Sequence, residues 1–190
     1  MVFSNDTEVA LVSAANLINT APTHAASAAT LASIDALSTL VELDEFVIAE
    51  QFTGSREHTG SELADVRAMR TELRTIWTAA EETAVTMVNA LLAQAGALPQ
   101  LVKHDQWDWH LHATAPAAPL ARRMGVEAAM ALVDVIRGKE LSRLRVCAAE
   151  DCQAVLIDLS KNRSRRYCDT GNCGNRAHVA AYRRRKLTEH

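Results

Sequence analysis

Long apolar runs are missing from this chain: no stretch approaches about eighteen uninterrupted hydrophobic residues, the length needed for a membrane-spanning helix. The beginning, Met1 to Asn5, has no basic stretch leading into an apolar one, so no secretory signal is expected and a soluble, cytoplasmic protein is. Aromatic residues make up only 4%, too few to dominate a core, which alanine and leucine must therefore fill. Both are strong helix formers, and this tilts the expectation away from a sheet sandwich. Also absent are a nucleophile elbow, a phosphate-binding glycine loop, a HExxH pair and a paired-carboxylate motif, so no enzyme class gains support. Disorder is disfavoured too, because 48% hydrophobic and 23% charged residues is the balance of a globular chain.

What is present is unevenly distributed. The net charge of -3 conceals two unequal parts of opposite sign. From Arg143 to His190 there are eleven Lys or Arg against five Asp or Glu, a balance of +6, which leaves -9 for the preceding residues. Such a split predicts two domains with different partners, the smaller one facing a polyanion.

Hydrophobic periodicity predicts helices for most of the first part. Val9, Leu11, Val12, Ala15, Leu17 and Ile18 form a stripe that Asn19-Thr20-Ala21-Pro22 ends. A small-residue loop over 23–30 precedes one or two helices in 31–52. Ser61 is a plausible cap for one long amphipathic helix from Glu62 to about Ala95, with or without a break. After Gly96 the period changes to two: Leu101-Val102-Lys103 and Trp107 to His112 alternate, with His104-Asp105-Gln106 as the turn of a two-stranded ribbon. Leu120 to Ile136 returns to helical spacing and Gly138 ends it.

All four cysteines lie beyond this point, at Cys147, Cys152, Cys168 and Cys173, as two C-x4-C pairs separated by fifteen residues. Two bent pairs brought together by an intervening loop present four sulfurs to one tetrahedral ion, and Zn2+ accepts four thiolates. The alternatives are two disulfides or four unrelated buried thiols. A chain without a secretory signal disfavours disulfides, and thiols used as core filler would not cluster in matched pairs. The segment between the pairs has only Val155, Leu156, Ile157 and Leu159 as sizeable apolar residues, too little to fold by burial alone. Four thiolates close the coordination shell, so the zinc is expected to be structural. His178 lies five residues past Cys173 and is expected to be an exposed helical residue.

Downstream of Cys173 the sequence has helical propensity, with Val179, Ala180 and Tyr182 available for packing. Asn175, Arg176, Arg183, Arg184, Arg185 and Lys186 on this helix, with Lys161, Arg163, Arg165 and Arg166 in the preceding loop, are the candidate nucleic-acid contacts. Like charges three or four residues apart repel in solution, whereas a phosphate backbone releases counterions when such cations neutralise it. Complementing the helix dipole, or docking onto the acidic first part, are the competing roles for the basic turn.

The pairs of cysteines together with Cys173-Gly174-Asn175-Arg176 resemble the signature of the CGNR zinc finger family, and Leu17-Ile18-Asn19-Thr20 is similar to a short motif near the start of the alanine-rich ABATE domain that precedes this finger. The resemblance implies zinc on the four cysteines, DNA binding by the finger and a role in bacterial stress-induced transcription regulation. It implies no ligand for the N-terminal region. The expected fold is thus mainly α: a helical N-terminal domain over 1–140 with a small β-hairpin, and a four-cysteine zinc finger over 141–190 that ends in a basic helix.

One other cluster stands out. Trp107, Trp109, His110 and His112 are the candidate ligand pocket of the N-terminal domain, and alternation puts the two tryptophans on one face and the histidines on the other. The plainer expectation is a tryptophan pair packing the ribbon on helices, with the polar face in solvent. Three functions follow in order: a DNA-binding regulator with an unidentified small-molecule effector, a zinc-stabilised RNA-binding or protein-interaction module, and an enzyme. A single finger would gain affinity by forming a homodimer.

Overall fold

The apolar stripe near the start is a helix, α1 (Asn5–Asn19), which begins a turn before Val9 because acidic Asp6 and Glu8 suit a helix N-terminus. Glu8 also accepts hydrogen bonds from the backbone N–H of Val2 and Phe3 at 2.6 and 3.1 Å. The computed structural model describes residues 2–24, 34–104 and 107–188. Most of the loop expected over 23–30, and the first residues of the helical region expected from Leu31, lie outside the described residues. Within that region one helix is described, α2 (Leu40–Ala49), opened by a reciprocal capping box between Thr39 and Glu42.

The long helix expected from Glu62 to Ala95 is two, α3 (Gly60–Trp77) and α4 (Glu81–Ala95). A continuous helix of that length would run roughly 50 Å, beyond the diameter of a small domain. Breaking it at 78–80 lets both halves bury their apolar faces in one core. The cap is Thr59, whose hydroxyl accepts from the Glu62 N–H at 3.2 Å; Ser61 is already inside the first turn. The ribbon forms as expected, with β1 (Gln100–His104) antiparallel to β2 (Trp107–His112) and a register shift between Val102 and His104. Of the expected turn His104-Asp105-Gln106, His104 belongs to β1 opposite Trp107, and Asp105 and Gln106 lie outside the described residues.

At the centre is α5 (Leu120–Arg137), buried along Leu120, Met124, Ala128, Leu132 and Val135 and packed by α1, α3 and α4. A partly buried ion pair fixes the surroundings of α1 and α3. Arg70 donates two hydrogen bonds of 2.8 Å to Asp35 and a third, of 3.1 Å, to the Thr20 hydroxyl. That guanidinium holds the Asp35 carboxyl below the usual carboxylate range against the opposing effect of burial. Among the described residues no helix is long and apolar enough to cross a membrane.

A short 3-10 turn (Leu141–Arg143) leads into β3 (Leu144–Val146), which pairs antiparallel with β4 (Val155–Ile157); α6 (Cys173–Thr188) completes the fold. All three residues of β4 are buried, because its two faces serve different clusters. Val155 and Ile157 belong to the helical core, while Leu156, with Ala154, packs among the cysteines. Period-two alternation makes one strand the shared wall of both.

Candidate metal centre and basic helix

The loop that joins β3 to β4 carries the first cysteine pair; there the Cys147 N–H donates to the Ala154 carbonyl at 2.8 Å and the Cys152 N–H to the Ala149 carbonyl at 3.1 Å. The second pair is brought over by the loop that follows β4, and Cys173 sits at the first turn of α6. All four sulfurs lie within 4.8 Å of one another, and all four residues are buried. The Sγ separations Cys152–Cys168 and Cys168–Cys173 are both 3.7 Å. A regular tetrahedron of Zn–S bonds of about 2.3 Å has edges of about 3.8 Å, so the spacing fits a tetrathiolate zinc ion. Disulfides are not what this geometry supplies, since bonded sulfurs would be about 2.05 Å apart.

Electrostatics agree with the geometry. Burial and the neighbouring thiol Cys168 push Cys152 above the ordinary thiol range, and burial pushes Cys168 up to about 11. Burial also opposes ionisation of Cys147, but backbone N–H groups of Ala149 and Cys168 outweigh it and hold that thiol low. Burial thus opposes thiolates at Cys152 and Cys168, and a cation among the sulfurs offsets that cost. Zinc supplies that charge and closes the shell as a structural ion.

The residues around the cluster come partly from the other end of the chain. His24 forms an antiparallel bridge with Cys152, and its Nε2 lies 3.7 Å from Cys173 Sγ. The next residue after Cys152, Gln153, donates its N–H to the Thr23 carbonyl at 2.7 Å, and Arg74 of α3 donates to the Gln153 carbonyl. Gly171 is required by this approach: a Cβ there would lie 2.5 Å from the His24 ring. Nothing in the sequence flagged His24, a single histidine more than a hundred residues from the cysteines it touches.

Arg176, the last residue of the Cys-Gly-Asn-Arg motif, reaches back along α6. It makes a bidentate pair with Asp151 at 2.6 and 3.0 Å and donates to Cys173 Sγ at 3.2 Å. Asp151 raises the Arg176 pKa further, and a donor on a ligating sulfur draws off part of its negative charge. Asn175 donates to the Asn172 side chain at 2.7 Å, which fastens the loop ahead of the helix.

The Leu-Ile-Asn-Thr segment also gains a physical role. Asn19 mimics a strand: its amide donates to the Val155 carbonyl and accepts from the Val155 N–H, both at 2.8 Å, so the end of α1 pairs with the free edge of β4. Replacing Asn19 with alanine removes two hydrogen bonds and leaves the buried Val155 backbone unpaired. We expect a loss of about 2–4 kcal/mol in urea unfolding of the full chain, with zinc retained.

The other basic residues divide into two sets. Arg143 and Arg145 are spent inside the finger, donating to backbone carbonyls of the 158–165 loop, and Arg145 also pairs with the fully buried Asp158 at 3.0 Å. That carboxylate accepts from Ser160 and from the Arg165 N–H, and so shapes the loop that displays Lys161, Arg163, Arg165 and Arg166. In this loop Arg163 reaches Glu140 at 2.8 Å, Arg165 pairs with Asp169, and Arg166 lies over the Tyr167 ring. On α6, Arg183, Arg184, Arg185 and Lys186 are exposed. So are Val179 at 48% and Tyr182 at 53%, which had been expected to pack. The helix is held by the metal at its first turn and projects beyond the core, so these side chains have no wall to meet. His178 is exposed, as expected.

On the ribbon, the expected alternation holds but the faces are reversed. Trp109 is 66% exposed, whereas His110 and His112 are partly buried against a cleft. Strand parity fixes which residues share a face, and the cleft walls decide which face turns inward. The Trp107 side chain lies outside the described residues.

Comparison with known families agrees with this architecture. Residues 143–186 match the CGNR zinc finger, the stretch that holds the four cysteines and Arg176. Residues 12–139 match the ABATE family, described as "Putative stress-induced transcription regulator". No curated protein shows significant similarity to the chain. The match over 12–139 spans most of the sequence, and the protein therefore belongs to the ABATE family, with a zinc-binding CGNR finger following the helical region.

Proposed function

We propose that this protein is a DNA-binding transcriptional regulator, without enzymatic activity of its own, whose finger and basic helix grip the phosphate backbone. One observation carries the reading: α6 is anchored at Cys173 by the metal cluster while its far end holds four consecutive exposed cations, Arg183 to Lys186, outside the core. Neighbouring like charges on an exposed helix repel, and an anionic backbone relieves that repulsion while releasing its counterions. The loop shaped by Asp158 adds Lys161 and Arg166 directly, and Arg163 and Arg165 by exchanging their carboxylate partners for phosphate. Arg176 acts differently. Its bonds to Asp151 and Cys173 make it a positioning residue of the metal site. Stress-linked regulation is what family membership supports.

The test is binding of the full zinc-loaded chain to a random-sequence duplex over a range of salt. Four phosphate contacts give a log-log slope of about -3.6, and the loop raises it. Absence of salt-dependent duplex binding overturns the proposal, and preference for single-stranded RNA of the same length shifts it to an RNA-binding module.

A further inference from the structure

A cleft of about 410 Å³ opens between α1, α5 and β2, and no cysteine and no residue of α6 lines it. That is the size of a small-molecule pocket, for which about 300–1,000 Å³ is usual. Its apolar wall is built by Ala10 of α1, by Phe52, and by Met130, Ala131 and Val133 of α5. His110 and His112 of β2 also line it, and their ring nitrogens are already hydrogen-bonded to each other at 2.9 Å.

The charge around this cleft is one-sided. Asp6, Glu50, Glu127 and Asp134 line it against a single guanidinium, that of Arg137. Among the described residues Asp6, Glu50 and Asp134 have no ion-pair partner. Asp134 accepts from the Thr7 hydroxyl at 2.7 Å and Glu50 from the Asn16 amide at 2.8 Å. A carboxylate offers about four acceptor positions, so both keep capacity for a further donor. Ser13 is a second and independent sign of a ligand. It is 6% exposed, lines the cleft, and has a buried hydroxyl with no hydrogen-bond partner among the described residues. Folded proteins leave few buried polar groups unmet, because each costs free energy that a bound partner returns. Thr7, Ala10 and Ser13 follow one another at helical spacing along the cleft, which puts Ser13 about 9 Å along α1 from the Thr7–Asp134 pair.

We propose that this cleft binds a small organic amine in its ammonium form, with an apolar body and a hydrogen-bonding group at the far end. The ammonium only donates, which suits the carboxylates of Asp6 and Asp134 at one end of the cleft. The body packs on Ala10, Met130 and Ala131, and the far group meets the Ser13 hydroxyl. An anionic ligand of the same shape is repelled by the surplus of carboxylates. The site lies wholly in the helical region, so it stands or falls separately from nucleic-acid binding.

Amide NMR titrations of the full zinc-loaded chain test it with three probes of one shape. Tyramine carries an ammonium and a phenol at opposite ends, phenethylamine lacks the phenol, and 4-hydroxyphenylacetate reverses the charge. Tyramine is expected to bind saturably and to shift amides of residues 6–13 and 127–134, phenethylamine to bind more weakly, and the acid to shift nothing. D134N keeps an acceptor for Thr7 but loses the charge, and is expected to weaken tyramine tenfold or more. S13A should weaken tyramine to the level of phenethylamine and leave phenethylamine itself unchanged. Its urea midpoint should be equal to that of the wild type or higher, because an unmet hydroxyl has been removed. No saturable binding of tyramine, equal binding by the acid, or wild-type affinity in both D134N and S13A overturns the site.

Discussion

Replacing Cys173 with serine is expected to release the zinc and unravel α6 from its first turn. The helix starts at that residue, and beyond the polar tie of Arg176 to Asp151 the exposed Val179 and Tyr182 add no apolar packing. Structural zinc in finger-sized peptides contributes roughly 10–16 kcal/mol of apparent free energy near neutral pH, as large as the net stability of a whole domain. The damage should spread beyond the finger. His24, Arg176 and Gly171 are fitted around Cys173, and Leu156 of β4 packs among the sulfurs while Val155 and Ile157 pack in the helical core. Metal analysis and hydrogen exchange of the full chain therefore report together: the zinc is lost, amides of α6 lose protection, and those of β4 weaken. C152S should behave alike. Zinc stoichiometry unchanged in both variants would refute the cysteine cluster as the site.

The second large effect concerns affinity, with folding left alone. In R183A/R184A/R185A/K186A the four exposed cations at the end of α6 are removed, and the salt dependence of duplex binding is expected to flatten by about 3.6 in slope, with at least a tenfold loss at low salt. Stability should stay within about 0.5 kcal/mol, as for most exposed positions. R176A makes the contrasting control. Arg176 donates to Asp151 and to a ligating sulfur, so its loss should speed zinc release to a chelator by tenfold or more and change the salt slope little. If the quadruple variant binds duplex with an unchanged slope, α6 does not contact phosphate.

These two variants also separate what one basic cluster looked like from what it is. Counting cations, the sequence presents Arg143, Arg145 and Arg176 as equals of Arg183 and Lys186. Folding spends the first three on carbonyls, Asp158 and Asp151, because a small finger has many loop carbonyls to satisfy and few apolar residues to bury. In the same way, the apolar pattern from Glu62 to Ala95 was legible as helix, but its break was not, since both halves keep the same period across 78–80. The ribbon's strands and pairing were legible, and the inward face was not. Alternation is symmetric, and only the cleft beside α5 makes the histidine face the inner one.

Local chemistry was enough for the sequence to determine the helices, the hairpin and the four zinc ligands, because spacing of apolar residues and of cysteines acts over a few turns of chain. Tertiary structure alone decided that His24 and Asn19 reach the finger, that β4 belongs to two cores at once, and that two histidine nitrogens meet in a cleft. Those contacts join residues brought together only when the elements pack, and no periodicity records such meetings.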